Sequence, residues 1–289
     1  MKKYIKLIRP HHYIKNALLF FPLIFSGHLF DIPQLCSLIY GFFSFSLISS
    51  VVYIINDIND ADNDAKHPTK CKRPIAAGLI SKKAAALTAV LLFILAVGLN
   101  WLADGFGVYS YIMLLTYMLL NILYSFGLKN VPIVDIVILV SGFVLRVVYG
   151  AQITDTAVSG WLYLTVMSLS FYMGLGKRRG ELINTDAPNN TRKVLKYYTK
   201  DFLSKNMYMF LTLTIAFYSL WCMDSLTAER HTNGNFIITV PLVILICMKY
   251  SMNIEGNSDG DPVEVIRRDK WLIALVALYA LAVLCILYI

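Results

Sequence analysis

Between residues 56 and 74 the chain reads NDINDADNDAKHPTKCKRP. Asp57, Asp60 and Asp64 stand at i, i+3 and i+7. On a helix they share one face within about 60°, while Asp62 points elsewhere. Three carboxylates on one face repel each other unless a cation sits between them. Oxygen donors of this kind suit Mg2+, which takes a few carboxylates, several waters and the phosphates of a substrate. Asp60, Asp62 and Asp64 also open a D-x-D-x-D pattern, but a calcium-binding EF-hand needs Gly and Glu where this chain has Ala65 and Cys71. The bland alternative is a solvated polar loop. Against it, the acids abut an apolar segment and basic residues follow at once: Lys66, His67, Lys70, Lys72 and Arg73. Lys and Arg make charge-assisted hydrogen bonds to phosphate oxygens. An acidic, metal-ready face beside a basic loop is what a diphosphate ester requires.

The elements that must position these charges are apolar walls. Of the 289 residues, 57% are hydrophobic, and the mean hydropathy is +0.62. A soluble domain is far less apolar, and runs of about 18 or more apolar residues mark spanning helices. Nine spans are expected, near 14–30, 36–56, 84–103, 108–126, 132–150, 160–176, 206–223, 235–250 and 271–289. Ser81 is placed to cap the third. No segment has the short apolar run and small-residue cleavage site of a removable leader. The start, MKKYIKLIRPHHYIKN, is instead expected to be a basic amphipathic lead-in on the membrane surface.

Lys and Arg collect on the cytoplasmic side of a membrane. Nine spans put all but two of the 26 on the N-terminal face, the exceptions being Arg230 and, inside a span, Arg146. The N-terminus and the acidic stretch are therefore expected in the cytoplasm, and most of the +8 net charge is this bias. Cys36, Cys71, Cys222, Cys247 and Cys285 show no CxxC or Cys/His metal spacing and count as small hydrophobes. The loops are too short for a soluble domain and no internal repeat is evident, so one membrane domain over 1–289 is expected.

Asp135 lies just inside the fifth span, with Gly142 and then Arg146 following on the same face. On a straight helix Arg146 would lie roughly 16 Å deeper. Ionisable groups within a span usually face a cavity or a partner. Asp135 is expected to serve the donor site. Arg146 is expected to be structural or to orient a cavity, with phosphate binding as the alternative.

These residues resemble a known family. N-D-x-x-D-x-x-x-D, here Asn56, Asp57, Asp60 and Asp64, is similar to the first aspartate-rich motif of the UbiA-type intramembrane prenyltransferase superfamily. Nine helices with that motif after the second match its architecture, and the resemblance extends over most of the chain. Three stretches, LIRPHHYIKNALLFFPLIFSG, HPTKCKRPIAAGLIS and LKNVPIVDIVILVSGFVLRVVYGA, resemble its decaprenyl-phosphate phosphoribosyltransferase branch.

The resemblance implies an all-α integral membrane bundle with a cytoplasm-facing active-site cavity, lying in the plasma (inner) membrane. It implies Mg2+-dependent transfer of 5-phosphoribosyl from phosphoribosyl diphosphate to a polyprenyl phosphate such as decaprenyl phosphate, a cell-wall precursor step that releases diphosphate. Asp57, Asp60 and Asp64 would be the catalytic, metal-holding residues. Asn56, Lys70, Lys72, Arg73, Tyr124, Asp135 and Arg146 are the substrate-binding candidates near them. Lys15, Asn16, Lys129 and Lys177 are the candidates for positioning the lipid phosphate. No nucleic-acid partner is expected, and a homo-oligomer is compatible with the sequence.

One departure bears on the branch. Ordinary members carry a second aspartate-rich motif after span six, where this chain has GLGKRRGELINTD. Lys177, Arg178, Arg179 and a single Glu181 make a poor metal clamp but a reasonable anion site, with a positive-inside anchor as the alternative for Arg179. A prenyltransferase acting on an aromatic acceptor is the nearest rival, and the missing motif argues against it. A transporter would spread polar residues through the bilayer, and a metal-dependent lipid phosphatase would need a nucleophile arrangement that is not evident.

Overall fold

The computed structural model describes residues 2–66, 70–183, 193–224, 236–255 and 262–288. His67, Arg230 and the final NTD of GLGKRRGELINTD lie outside them. Among the described residues every regular element is helical. The chain divides into two compact units, Met1–Ile24 with His28–Lys129 and Leu145–Thr156, and Phe25–Gly27 with Asn130–Val144 and Ala157–Ile289.

The first unit begins with α1 (Lys2–Ile8), whose Leu7 is fully buried, and a 3₁₀ helix (Pro10–Phe20) that continues into α2 (Phe21–Phe25). The expected span at 14–30 is thus not one long α-helix. Pro22 has no N–H to give to Leu18, and the Phe21 N–H bonds to Leu18 in the tighter pattern. α3 (Ile32–Asn59) follows, started by Asp31, whose side chain accepts from Gln34 N, and 61% of its most apolar window is buried. That burial makes α3 the axis of the unit. α4 (Ala61–Asp64) is a single turn beyond it.

α5 (Lys82–Asp104) is capped by Ser81 as expected, through a 3.2 Å bond from Ala84 N. α6 (Val108–Phe126) completes the wall. α7 (Val134–Ile153) gives its second half to this unit, where a Cβ on Gly150 would lie 2.1 Å from the Leu19 carbonyl oxygen. Only glycine permits that approach. Two buried clusters hold the unit, one around Phe45, Tyr117 and Tyr149, the other around Leu7, Ile54 and Ile80.

The second unit contains the first half of α7, α8 (Gly160–Ile183), α9 (Lys200–Met223), α10 (Val240–Glu255), α11 (Pro262–Arg268) and α12 (Lys270–Tyr288). Thr199 caps α9 by accepting from Phe202 N. Its core gathers Tyr172, Leu203, Met207, Ile254 and Leu272.

Seven described helices are long and apolar enough to cross a bilayer, so the chain is a multi-pass membrane protein. α12 is the extreme case, with a mean hydropathy of 2.6 and only 11% of its window buried, as a lipid-facing helix requires. α8 is long enough but falls outside the seven, because Gly, Ser, Thr and Tyr dilute its apolar stretch and charged residues follow from Lys177 on.

Candidate active site

The acidic stretch does not continue α3 as one helix. Asp60 sits at φ −90°, ψ 2°, and ends it, after which α4 makes one more turn. Asp57 and Asp64 nevertheless converge on one cation. Arg73 Nη1 donates to Asp57 Oδ1 at 3.1 Å and to Asp64 Oδ2 at 2.6 Å. Arg9 Nη2 grips Asp57 at 2.7 and 2.8 Å. Asp60 turns instead toward Lys129, whose Nζ lies 3.6 Å away. Asp62 points out as expected, with its side chain 87% exposed beside Lys82.

The expected three-acid face is therefore split by the break at Asp60. Among the described residues, no three His, Cys, Asp or Glu side chains stand grouped to hold an ion. Two carboxylates still fit Mg2+, which completes its shell from water and substrate phosphates. Arg73 Nη1 occupies the point between them that a cation would take. Asn56 Oδ1 adds a buried acceptor with no hydrogen-bond partner among the described residues. Asn56 and Asp60 stand one helical turn apart, on the same side of α3.

The N-terminal strap is the part that the sequence left on the membrane surface. α1 is tied down by Lys3 to the Leu79 carbonyl at 3.1 Å and by Lys6 to the Lys72 carbonyl at 2.9 Å. Arg9 then adopts φ 57°, ψ 57°, a left-handed conformation costing a non-glycine residue about 1–2 kcal/mol. It stands before Pro10, where ordinary helical angles are disfavoured. Strain of this kind persists where surrounding contacts over-determine it, and here the Asp57 carboxylate does so. Arg9 also lies 5.2 Å from the Tyr53 ring centre. Lys6, Arg9, Lys70, Lys72 and Arg73 line a cavity of about 260 Å³, joined by His11 and His12. Lys6, Arg9, His11 and His12 were not anticipated. The signal was present in LIRPHHYIKN, where an arginine before proline interrupts an amphipathic pattern.

Deeper in the same unit, Arg146 Nε donates to Asn16 Oδ1 at 2.7 Å, and Nη2 donates to the Tyr117 hydroxyl at 3.1 Å. Its guanidinium stacks 5.0 Å from the Phe45 ring centre and 4.9 Å from that of Tyr117. Asn16 is 1% exposed and donates to Ser46. The structure thus brings Asn16, expected near a lipid phosphate, to Arg146 in the buried part of the unit. Lys15 is half-buried in the 3₁₀ helix, and Tyr124 half-buried in the last turn of α6.

In the second unit, Asp135 and Arg178 meet. Arg178 Nε donates to Asp135 Oδ2 at 2.6 Å, and both side chains are 0% exposed. Arg178 Nη1 reaches Glu181 at 2.7 Å. The Tyr198 hydroxyl donates to Asp135 Oδ1 and accepts from Ile133 N, each at 2.6 Å. Ile133 is held at φ 69°, costly for a β-branched residue. Burial pushes the Tyr198 phenol up to about 12, helped by the Asp135 carboxylate it serves.

Asp135 and Arg178, expected at a donor or anion site, are here bonded to each other. Tyr198 was missed because nothing local marks a residue 63 positions from its partner. Arg179 is also buried, with Nε on Ser204 at 2.9 Å and Nη1 lacking a partner among the described residues. Lys177 stays half-buried beside them.

With this geometry in hand, the comparisons are specific. Residues 17–177 match the model of the UbiA prenyltransferase family. A decaprenyl-phosphate phosphoribosyltransferase from Corynebacterium glutamicum is 32% identical over 99% of this chain and 86% of its own length. One from Mycobacterium tuberculosis is 30% identical over 92% of this chain and 88% of its own. A UbiA homolog from Archaeoglobus fulgidus, solved with DMAPP and Mg2+, superposes with a TM-score of 0.71 over 99% of both chains at 18% identity. A second structure of that homolog, with GPP and Mg2+, gives 0.69 at 19% identity over 99% of this chain and all of the other. At such identities these structures establish the fold alone.

Proposed function

This chain belongs to the UbiA prenyltransferase family and is a transferase of it, and we propose that it moves 5-phosphoribosyl from phosphoribosyl diphosphate to a polyprenyl phosphate. Its likeness to phosphoribosyltransferases over nearly the whole chain supports the donor. The observation that carries the reading is the fate of the acids. Asp57 and Asp64 are bridged by an arginine beside a basic cavity, whereas Asp135 and Glu181 are both bonded to Arg178. Among the described residues one acidic cluster is left for a metal, where a prenyl diphosphate clamp uses two.

Asp57 and Asp64, with Asp60 and Asn56 alongside, would hold Mg2+. When bound, the ion would draw charge off the diphosphate leaving group. Lys70, Lys72 and Arg73 neutralise the donor's phosphates. The lipid phosphate is already an anion and needs positioning more than a base, for which Lys15, Lys129 and Lys177 are the candidates. As it attacks C1 the new C–O bond forms opposite the one that breaks, so an α donor gives a β product. Tyr124 is proposed to line the substrate path, and the whole of 1–289 to be the catalytic domain.

The protein is proposed to cross the plasma (inner) membrane nine times with its N-terminus and site cytoplasmic. α8 and the N-terminal 3₁₀–α2 segment would supply the spans beyond the seven. The latter has 16 residues. At 3₁₀ and α rises these extend about 29 Å, the depth of a hydrocarbon core. The test is product analysis by mass spectrometry. The protein with Mg2+ receives phosphoribosyl diphosphate plus decaprenyl phosphate, and separately a prenyl diphosphate plus an aromatic acid. A phosphoribosylated lipid from the first is expected. Prenylated product from the second alone would overturn the proposal.

A further inference from the structure

We infer that the basic cavity of the first unit is a phosphate-monoester subsite that receives the 5-phosphate of the donor. This rests on the phosphoribosyl reading and deepens it. The cavity, about 260 Å³, is smaller than the pockets that hold drug-sized ligands. Five of its lining residues are Lys or Arg, two are His, and no carboxylate is among the described residues that line it. A metal-bridged diphosphate needs acidic side chains to hold the metal. A lining of cations alone suits an anion that arrives without one. Phosphoribosyl diphosphate carries one such group, its 5-phosphate. A prenyl diphosphate carries none.

Two of the cations serve both sites. Arg9 spends Nη2 on Asp57, and Arg73 spends Nη1 on Asp57 and Asp64. A guanidinium has five N–H donors, so the remaining ones on each can take a second anion. The carboxylates and the cavity are therefore served by the same two guanidinium groups, and one ribose can engage both. Lys6 and His11 belong to the cavity and make no bond to the acids. They separate the 5-phosphate function from the metal function. The strap carrying them is anchored by buried Leu7 and by the Lys6 bond to the Lys72 carbonyl, so the subsite is built before substrate arrives.

The acceptor lipid also ends in a phosphate monoester, so the experiment must tell the two sources apart. Full-length Lys6→Ala, His11→Ala and Lys6→Arg variants would be compared with the unaltered protein, after melting curves confirm that each folds. Each would be assayed with phosphoribosyl diphosphate, with ribose 1-diphosphate lacking the 5-phosphate, and over a range of decaprenyl phosphate. Binding of ribose 5-phosphate would be measured by calorimetry.

For Lys6→Ala the KM for phosphoribosyl diphosphate should rise about tenfold, the loss of one charge-assisted bond. The KM for the trimmed donor should not move, kcat should be kept, and Lys6→Arg should restore the unaltered value. Ribose 5-phosphate affinity should fall by the same factor. An equal rise for the trimmed donor overturns the inference. So does a rise confined to the lipid, which would give the cavity to the acceptor. If neither donor is turned over, the phosphoribosyl reading has failed. Ribose 5-phosphate binding then still decides the cavity: loss in Lys6→Ala upholds it, and no binding to the unaltered protein overturns it.

Discussion

Arg73→Met tests whether an arginine holds the place of a metal. The substitution keeps most of the side-chain volume and removes the charge that bridges Asp57 and Asp64 through a single atom. Two charge-assisted bonds are lost, each worth about 1.5–3 kcal/mol. Arg73 is 26% exposed while Asp57 is 2%, so water recovers part of that sum. The net loss without divalent metal should be about 3 kcal/mol, or roughly 6–12 °C in melting temperature. Mg2+ should then act unequally. In the unaltered protein it must displace Arg73, whereas in the variant the carboxylate pair is open to it. At a hundredfold excess over its Kd, Mg2+ should return about 2.7 kcal/mol to the variant. The assay is thermal unfolding in detergent with and without Mg2+, at ionic strength matched with sodium. Equal Mg2+ shifts in both proteins, or a variant that melts with the unaltered one in the absence of metal, would refute the reasoning.

Three further outcomes are expected. Asp57→Asn should lower turnover at least about a hundredfold with folding intact, while Asp62→Asn, at an exposed carboxylate, should stay within about twofold; similar activity in both would remove Asp57 from the site. Tyr198 holds its proton up to about pH 12 when folded, against about 10 unfolded. Its contribution is therefore complete below about pH 10 and is lost as pH rises toward 12, so Tyr198→Phe should flatten the stability curve over that window, and an unchanged slope would exclude the pair. Arg178→Met should cost about 3–5 kcal/mol by leaving Asp135 buried without its cation, whereas Arg178→Met with Asp135→Leu should recover most of it. Denaturant unfolding measures both, and a mild single variant would contradict the dry pair.

The sequence disclosed what local chemistry and period dictate. Asp57 and Asp64 could be set on one face, and Asp62 off it, because seven residues return a helix to the same side. Ser81 could be named as a cap because its bond to Ala84 is three residues long. The break at Asp60 was not legible in the helical period, and the cation nearest that carboxylate, Lys129, lies 69 residues away. Arg9 escaped for a similar reason. Its left-handed backbone is unfavourable locally and stands only because Asp57 lies where the strap must pass. Asp135 and Arg146 could be set on one face of a helix, but their partners, Arg178 for one and Asn16 for the other, lie on other elements that no period discloses. In each case the partner lies far away in sequence, where periodicity carries no information.

The two guanidinium–carboxylate clusters share chemistry and differ in access to water, and that difference assigns their roles. Around Asp57 the partners Arg9 and Arg73 are 18% and 26% exposed. Each arginine can turn to water or to a phosphate, whereas Asp57, 2% exposed, must keep a cation beside it, and a metal can take that place. Exchange for a metal and a phosphate is therefore cheap. Around Asp135 both charges are fully dry, and separating them would strand a charge in a medium that cannot solvate it. On the proposed reading, the first cluster is an exchangeable placeholder and the second a fixed brace. On that same reading, the one exchangeable cluster among the described residues holds the metal-bridged diphosphate, and the donor's remaining phosphate is met by cations alone.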